Sequence, residues 1–465
     1  MTSKTEQFYI RRIAELEKQV AELVKANAEL TDKVAKLSKN SSNSSKPPSS
    51  DIVKPPRKKK SNGSRNIGGQ PGHRKHERTP FPRDEIDDFQ THTLDVCPDC
   101  GGKLQEVENA ARVVQQLEVV KKPIHIEQHT GLCYWCEHCR KFHYAPMPTH
   151  IEKGQLIGPR LTATIAYMKG ACHCSFSTIR KFLRDVVGVT ISRGQLSKLI
   201  QKASAAFERA YNELLEHLPH EARLNVDETG HKENKKRFWT WCFRADAYTL
   251  FKIADSRGSK VLIDVLGEDF AGVIGCDYFS AYRKYMKDFD ILIQFCIAHL
   301  IRELKYLAGL SDKATANYGQ KLLDAMRDMF SIFHKAEELT ASDFAEAMEE
   351  SRKTFLDIAL IDVPDSRQAQ NLANRFLQHG KAYFQFITTP DIEPTNNLAE
   401  QAIRFVVIDR YITQGTRSEN GRLWSERIWT LLATCASQGR NAFDFIYQSI
   451  QAHFSDQPFP SLLGP

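Results

Sequence analysis

Between Arg223 and Leu310 the sequence reads as three strands in succession, then helix, strand, helix, strand, helix, and few folds accept that order. The strands are Arg223–Thr229, which ends in acidic residues, then Phe238–Arg244 and Tyr248–Ala254. A helix over Lys260–Leu266, a strand over Gly272–Asp277, a helix near Ala281–Met286, a strand over Ile291–Cys296 and a helix over His299–Leu310 complete the run. This is the element order of a ribonuclease-H-like α/β fold. There the ends of the first and fourth strands are neighbours, so Asp227 and Asp277 should meet. A carboxylate ending an apolar strand behind Gly275 and Cys276 has little purpose unless it binds something; taken singly, each Asp also fits a turn or helix cap.

A charge-rich helical block over residues 312–388 follows, with apolar residues such as Leu322, Met326, Phe330, Leu372 and Phe376 at helical spacing. The chain returns at Glu393–Arg404, EPTNNLAEQAIR, where a helix is expected from Asn397 with Glu400 in its first turn. Glu400 is a candidate third carboxylate. The local alternative is a capping box of Asn397 and Glu400, with Glu400 and Arg404 as an i,i+4 ion pair.

Residues 9–38 carry heptads, with Ile13, Val20, Asn27 and Val34 at a and Leu16, Leu23, Leu30 and Leu37 at d. β-Branched residues at a, Leu at d and one Asn at a favour a parallel two-stranded coiled coil; a single helix docked on the chain's own body is the alternative. The net charge of +7 is concentrated beyond a Ser/Asn/Pro-rich break. Asp51–Arg83 holds ten Lys or Arg against two acids, +8, which leaves −1 for the rest. That segment is rich in Pro and Gly, cannot bury a core and suits a polyanion, with Arg57, Lys58, Lys59 and Lys60 as candidate phosphate contacts.

Cys97, Cys100, Cys136 and Cys139 form two C-x-x-C pairs separated by strand-like sequence (Val113–Val120, Ile124–His129), the spacing of one structural Zn2+ site. Cys133, His138 and His143 stand close enough to substitute as ligands. Ile157–Leu218 is helical, with apolar faces at Leu161, Ile165 and Met168, at Ile179, Phe182, Leu183 and Val186, and at Leu196, Leu199, Ile200 and Phe207. Ser192 should cap the last of these helices. That pair is either a helix-turn-helix presenting Arg193, Gln195 and Lys198 to DNA or an ordinary helical hairpin.

Eleven Cys with no secretory leader point to thiols and metal ligands rather than disulfides; with 41% hydrophobic residues and no run of eighteen apolar residues, the chain is expected to be a globular cytoplasmic protein without membrane contact.

The assembled motifs NSSKPPSSD (43–51), GGQPGH (68–73), CPDCGG (97–102), YWCEHC (134–139), VDETG (226–230), CDYFSAY (276–282), CIAHLIREL (296–304) and PTNNLAEQAIR (394–404) resemble the IS66 family of bacterial insertion-sequence transposases, which are DDE-type enzymes. The resemblance covers nearly the whole chain. It implies a catalytic triad on Asp227, Asp277 and Glu400 and decides for Asp227 over Glu228. It also matches Cys296-x-x-His299 to a C-x-x-H signature, an accessory pair orienting each other or the site. Gln401, where the family usually has Arg, and Asp409–Ser418 depart from the common pattern.

The implied chemistry is two-metal: the carboxylates hold two Mg2+ (or Mn2+) ions, water cleaves the element's end, and the freed 3′-hydroxyl attacks target DNA. The implied partners are double-stranded DNA (terminal inverted repeats and target), a second copy or higher oligomer, and the element's small accessory proteins; the implied location is the nucleoid-associated cytoplasm. Rival readings are a non-catalytic, zinc-containing DNA-binding dimer derived from a transposase and a ribonuclease-H-like nuclease without strand transfer. The domain expectation is a coiled-coil helix (9–38), a disordered basic linker (39–88), a zinc-binding β module (89–150), a helical DNA-binding region (151–219), a catalytic core in two parts (220–311 and 391–454) around a helical insertion (312–390), and a tail (455–465).

Overall fold

The computed structural model describes residues 4–37, 79–96, 98–103, 113–117, 119–120, 123–154 and 156–464. The heptads lie in one continuous helix, α1 (Lys4–Leu37), and Leu16, Val20, Leu23, Leu30 and Val34 are all exposed on the single chain. A short antiparallel hairpin, β1 (Cys133–Cys136) and β2 (Lys141–Tyr144), turns through Arg140 at positive φ. The strands expected over Val113–Val120 and Ile124–His129 do not form among the described residues. Alternation fits a strand only if a paired neighbour covers one face, and Val113, Val114, Leu117 and Ile126 remain exposed. The chain divides into two compact units, one of Met1–Ile52 with Gln128–Pro465 and one of Val53–Glu127. Among the described residues no helix is long and apolar enough to cross a membrane.

Four helices lead into the sheet: α2 (Thr149–Gly154), α3 (Pro159–Gly170), α4 (Phe176–Phe182) and α5 (Arg193–His217). Ser192 caps α5 as expected, its hydroxyl accepting the Gln195 N–H at 3.1 Å. The α4 face differs from the periodicity: Ile179 and Leu183 are buried, Phe182 and Val186 exposed. The chain widens into a π turn over Leu183–Val187 before Gly188 at φ 77°, and a face continued through a wider turn no longer points one way.

The main sheet takes β3 (Arg223–Glu233), β4 (Lys236–Arg244) and β5 (Thr249–Ala254) as an antiparallel meander. After α6 (Lys260–Leu266), β6 (Val273–Cys276) pairs parallel with β3; after α7 (Ser280–Phe289), β7 (Leu292–Phe295) pairs parallel with β6 and leads into α8 (Ile297–Ala308). The order β5-β4-β3-β6-β7 makes a mixed sheet with first and fourth strands adjacent. The first strand does not end at its acids, as its sequence suggests. It runs on to Glu233 because β4 pairs with it down to Lys236, whereas β6 leaves it after Asn225. Asp227 therefore sits where one neighbour has stopped and the other continues.

The helical block consists of α9 (Lys313–Phe333), α10 (Ala341–Leu360), α11 (Arg367–Tyr383) and α12 (Gln385–Thr388). Its return to the sheet is fixed by Gln294 of β7, a buried amide that donates to Tyr383 O at 3.0 Å and accepts the Phe386 N–H at 2.9 Å. Three helices close the chain: α13 (Asn397–Thr413), α14 (Glu419–Ser437) and α15 (Ala442–Ser455). α14 lies along the open edge of β5 and satisfies it: Thr434 Oγ1 accepts from Thr249 N (3.2 Å), Thr430 Oγ1 from Phe251 N (3.0 Å) and Glu426 Oε1 from Ile253 N (2.6 Å). Two residues of strand advance about 6.7 Å and four of helix about 6.0 Å, so side chains at i, i+4 and i+8 meet alternate edge N–H groups. The other faces of α14 and α15 pack on α3 and α5, where a side chain at Gly170 would put Cβ 2.4 Å from Ile428.

Candidate active site

Pairing of Arg223 with Val273, Leu224 with Ile274 and Asn225 with Gly275 sets the β3–β6 register, and two further steps bring Asp277 beside Asp227. A Cβ at Gly275 would stand 2.6 Å from Asn225 Nδ2 and would force that amide to move. That amide donates to Asn396 Oδ1 at 2.9 Å, and Asn396, itself buried, donates through Nδ2 to Val226 O (2.8 Å) and through its backbone N–H to Cys296 Sγ (3.2 Å). Ile297 N also donates to Pro394 O at 2.9 Å. The start of α13 is thus pinned to β3 and to the start of α8, which carries Glu400 to the two Asp residues.

This geometry removes the capping-box reading. The cap position of α13 is Asn396, whose side chain is spent across the fold and makes no cap bond; Glu400 lies a residue deeper than a box requires. Nor does Glu400 pair with Arg404 among the described residues. Its neighbours are His299 Nδ1 at 3.6 Å and Arg302 Nη2 at 3.5 Å, both too long for hydrogen bonds. Cys296 stands at the cap position of α8, without a side-chain cap bond, and His299 one turn in, with their donor atoms within 4.8 Å of each other.

Burial, then the charges of Glu228, Asp277 and Glu400, push the Asp227 carboxyl well above the ordinary range, against one N–H bond from Glu228 at 2.9 Å. Burial also raises Asp277, whose Oδ1 accepts the Phe279 N–H at 2.9 Å. Glu228 is raised to about 7 by burial and Asp277, yet it is fully partnered: Arg257 donates to Oε1 through Nε (2.9 Å) and Nη2 (2.6 Å), and Tyr282 Oη to Oε2 (2.5 Å). Among the described residues no cation forms an ion pair with Asp227 or Asp277. Glu400 Oε1 and His299 Nδ1 are buried without a hydrogen-bond partner, and burial with Arg302 lowers His299 to about 4, so its ring is neutral near pH 7. Crowded, unneutralised carboxylates with an orphaned oxygen fit hard divalent cations such as Mg2+. The Glu228–Arg257–Tyr282 group escapes sequence reading; Tyr282 closes the CDYFSAY motif, but nothing local ties it or Arg257 to β3.

Towards its end β3 receives the last turn of α13 and the segment that follows it. Arg410 donates to Thr229 Oγ1 at 3.0 Å and to Gly230 O, and Thr416 N to Lys232 O at 2.9 Å. Gly415, at φ 83°, must be glycine there, because a Cβ would come within 2.3 Å of Lys232 O.

Elsewhere, Arg193 and Lys198 are exposed and Gln195 half-buried at the start of α5; Arg193, Lys169 and Arg417 line a cleft of about 750 Å³. Cys136 and Cys139 gather with His143, with 3.2 Å between Cys139 Sγ and His143 Nε2, and N–H groups of Cys139 and His138 lower the Cys136 thiol. Cys100 is exposed in the Val53–Glu127 unit; Cys97, Arg57, Lys58, Lys59 and Lys60 lie outside the described residues.

Residues 154–422 match the family model described as the Transposase IS66 family, and residues 5–79 one described as a family of unknown function, DUF6444. The chain is similar to two proteins of Sinorhizobium fredii (strain NBRC 101917 / NGR234). To the uncharacterised protein y4qI it is 25% identical over 337 residues, spanning 65% of this chain and 61% of that protein. To the uncharacterised protein y4hP it is 23% identical over 395 residues, spanning 77% and 70%.

Proposed function

The chain belongs to the IS66 family of transposases, and we propose that it cuts and joins DNA at a DDE site of Asp227, Asp277 and Glu400. The observation that carries this reading is the convergence of three half-buried carboxylates from distant segments, two of them, Asp227 and Asp277, without an ion-pair partner among the described residues. Asp227, Asp277 and Glu400 would hold two Mg2+ or Mn2+ ions, which when bound activate the attacking oxygen and stabilise the departing one. The protein's own part is positional. Asn396 sets Glu400 against the sheet, Glu228 with Arg257 and Tyr282 braces β3 on α7, and Arg302, 3.5 Å from Glu400, would offer a positive charge to a bound phosphodiester.

The core, residues 220–311 with 391–454, is of ribonuclease-H type with residues 312–390 inserted; its strand order supports this. α1 would pair with a second copy as a coiled coil, since Ile13, Leu16, Val20, Leu23, Leu30 and Val34 at its a and d positions lie exposed. The basic segment 39–88, with Arg57, Lys58, Lys59 and Lys60, and the start of α5, with Arg193, Gln195 and Lys198, would bind double-stranded DNA (terminal inverted repeats, then target). Cys97, Cys100, Cys136 and Cys139 in 89–150 would hold one structural Zn2+, with His143 as a competing ligand for Cys136 and Cys139. Small accessory proteins of the element and a place at the nucleoid complete the proposal. Mg2+-dependent incubation with DNA carrying the element's ends and a target plasmid tests it: the expected result is cleaved ends and joined product, both lost in Asp277→Asn. Cleavage without joined product would leave a nuclease, and neither product a DNA-binding protein.

A further inference from the structure

We propose that Cys296, His299 and Glu400 form a second cation site, selective for a thiophilic divalent ion of the zinc class, and that Glu400 can serve this site or the carboxylate cluster but not both. Sγ of Cys296, a ring nitrogen of His299 and a carboxylate oxygen of Glu400 lie within 4.8 Å of one another. Each is held by a different constraint: Cys296 at the cap of α8, His299 a turn further along, and Glu400 on the helix that Asn396 pins.

The donors are oriented, and two of the three make no hydrogen bond. Cys296 Sγ accepts the Asn396 N–H at 3.2 Å and lies near the N–H groups of His299 and Ala298, while burial raises its thiol above the usual range, so an ion bound there would displace the proton. His299 Nδ1 and Glu400 Oε1 are buried without hydrogen-bond partners. Their separation of 3.6 Å is too long for a hydrogen bond but suits two ligands on one ion: tetrahedral zinc at about 2.0–2.3 Å from each ligand sets them roughly 3.3–3.8 Å apart. Sulfur, imidazole and carboxylate are a borderline-soft set that Mg2+ disfavours. Three protein ligands leave a fourth position open. A cavity of about 310 Å³, lined by Asp277, Cys296, His299 and Glu303, gives access. Arg302, 3.5 Å from Glu400, opposes a cation and would have to turn away on binding.

The site stands on this geometry alone; its effect on the reaction rests on the reading of Glu400 as catalytic. The test titrates the full chain, without DNA, with Cd2+, recording bound equivalents and the ultraviolet absorption of cadmium thiolate. The comparison is with Cys296→Ser, which keeps an acceptor for Asn396, and His299→Gln, both checked for folding by thermal melting. Wild type should bind one more equivalent per chain than Cys296→Ser, with the matching absorption, and His299→Gln should bind it about tenfold or more weakly. Equal equivalents and absorption in wild type and Cys296→Ser would overturn the site, and a wild-type Cd2+ affinity in His299→Gln would overturn the three-ligand assignment. In a second arm each protein's Mg2+-dependent cleavage is compared with its own zinc-free rate: Zn2+ should inhibit wild type and spare Cys296→Ser. Cd2+ binding without Zn2+ inhibition would overturn the sharing of Glu400. Cd2+ binding with no Mg2+ cleavage in any condition would leave the site standing and remove the catalytic reading.

Discussion

On one face of β3 the Glu228 carboxylate is enclosed by two Arg257 nitrogens and the Tyr282 hydroxyl; on the other, Asp227 shares its surroundings with Asp277 and Glu400 and has one backbone N–H. The two acids are adjacent in sequence, yet one is given a cation and a hydroxyl as partners within the fold and the other is not. Burial of a carboxylate is tolerable when its partners are supplied locally; where they are withheld, the ion that completes the site must come from outside. The difference separates a brace from a site.

The sharpest way to break this contrast is to neutralise each acid in turn. Asp227→Asn should lower cleavage on the order of 10³-fold or more while leaving DNA binding intact, and should raise the melting temperature of the metal-free protein by removing a repelled charge. Glu228→Gln should do the reverse. Gln keeps one acceptor oxygen and replaces the other with an NH2 donor, so Arg257 or Tyr282 loses its acceptor, which should cost roughly 1–3 kcal/mol by thermal melting, with cleavage per folded molecule little changed. If both variants lost activity equally without a stability difference, the two faces would not be distinct.

A control away from the acids is the edge of β5. Thr430→Val keeps shape but leaves the buried Phe251 N–H without its acceptor, which should cost about 1–2 kcal/mol and leave cleavage unchanged. A loss of activity there would mean that α14 does more than close the sheet.

The smallest effect is a drift with pH. Asp227, Asp277 and Glu228 all have folded values raised above their unfolded ones, so the native state binds the extra protons and is favoured at low pH. Their contribution should be lost as pH rises from the ordinary carboxylate range through about 7, the value to which Glu228 is raised. Differential scanning of the metal-free protein should show the melting temperature falling across that window, and excess Mg2+ should flatten the fall. A rise across the window would mean that the cluster is already neutralised.

Much of this was legible in the sequence. Strand and helix order placed Asp227 and Asp277 on neighbouring strands, because hydrophobic period and turn residues are local signals. Ser192 was likewise readable as a cap. The extension of β3 to Glu233 was not, because nothing in polar Lys232 and Glu233 marks a strand until β4 pairs with them. The Asn-x-x-Glu pattern pointed to a local capping box, whereas the structure spends the preceding Asn396 on Val226 and Asn225, a choice only the tertiary fold makes. Apolar alternation near Val113 and Ile126 promised strands, but alternation records a willingness to pair and not a partner.

The central claim is that Glu400 is a working carboxylate rather than a helix-start residue, and Glu400→Gln tests it directly. The measurement is Mg2+-dependent cleavage and strand joining on DNA carrying the element's own ends, alongside DNA binding by the same preparation. Loss of both products, on the order of 10³-fold, with binding retained is the result expected if Glu400 completes the site with Asp227 and Asp277. Near-wild-type product would contradict it, since Gln is as competent as Glu in the first turn of a helix and only the charge would have been removed.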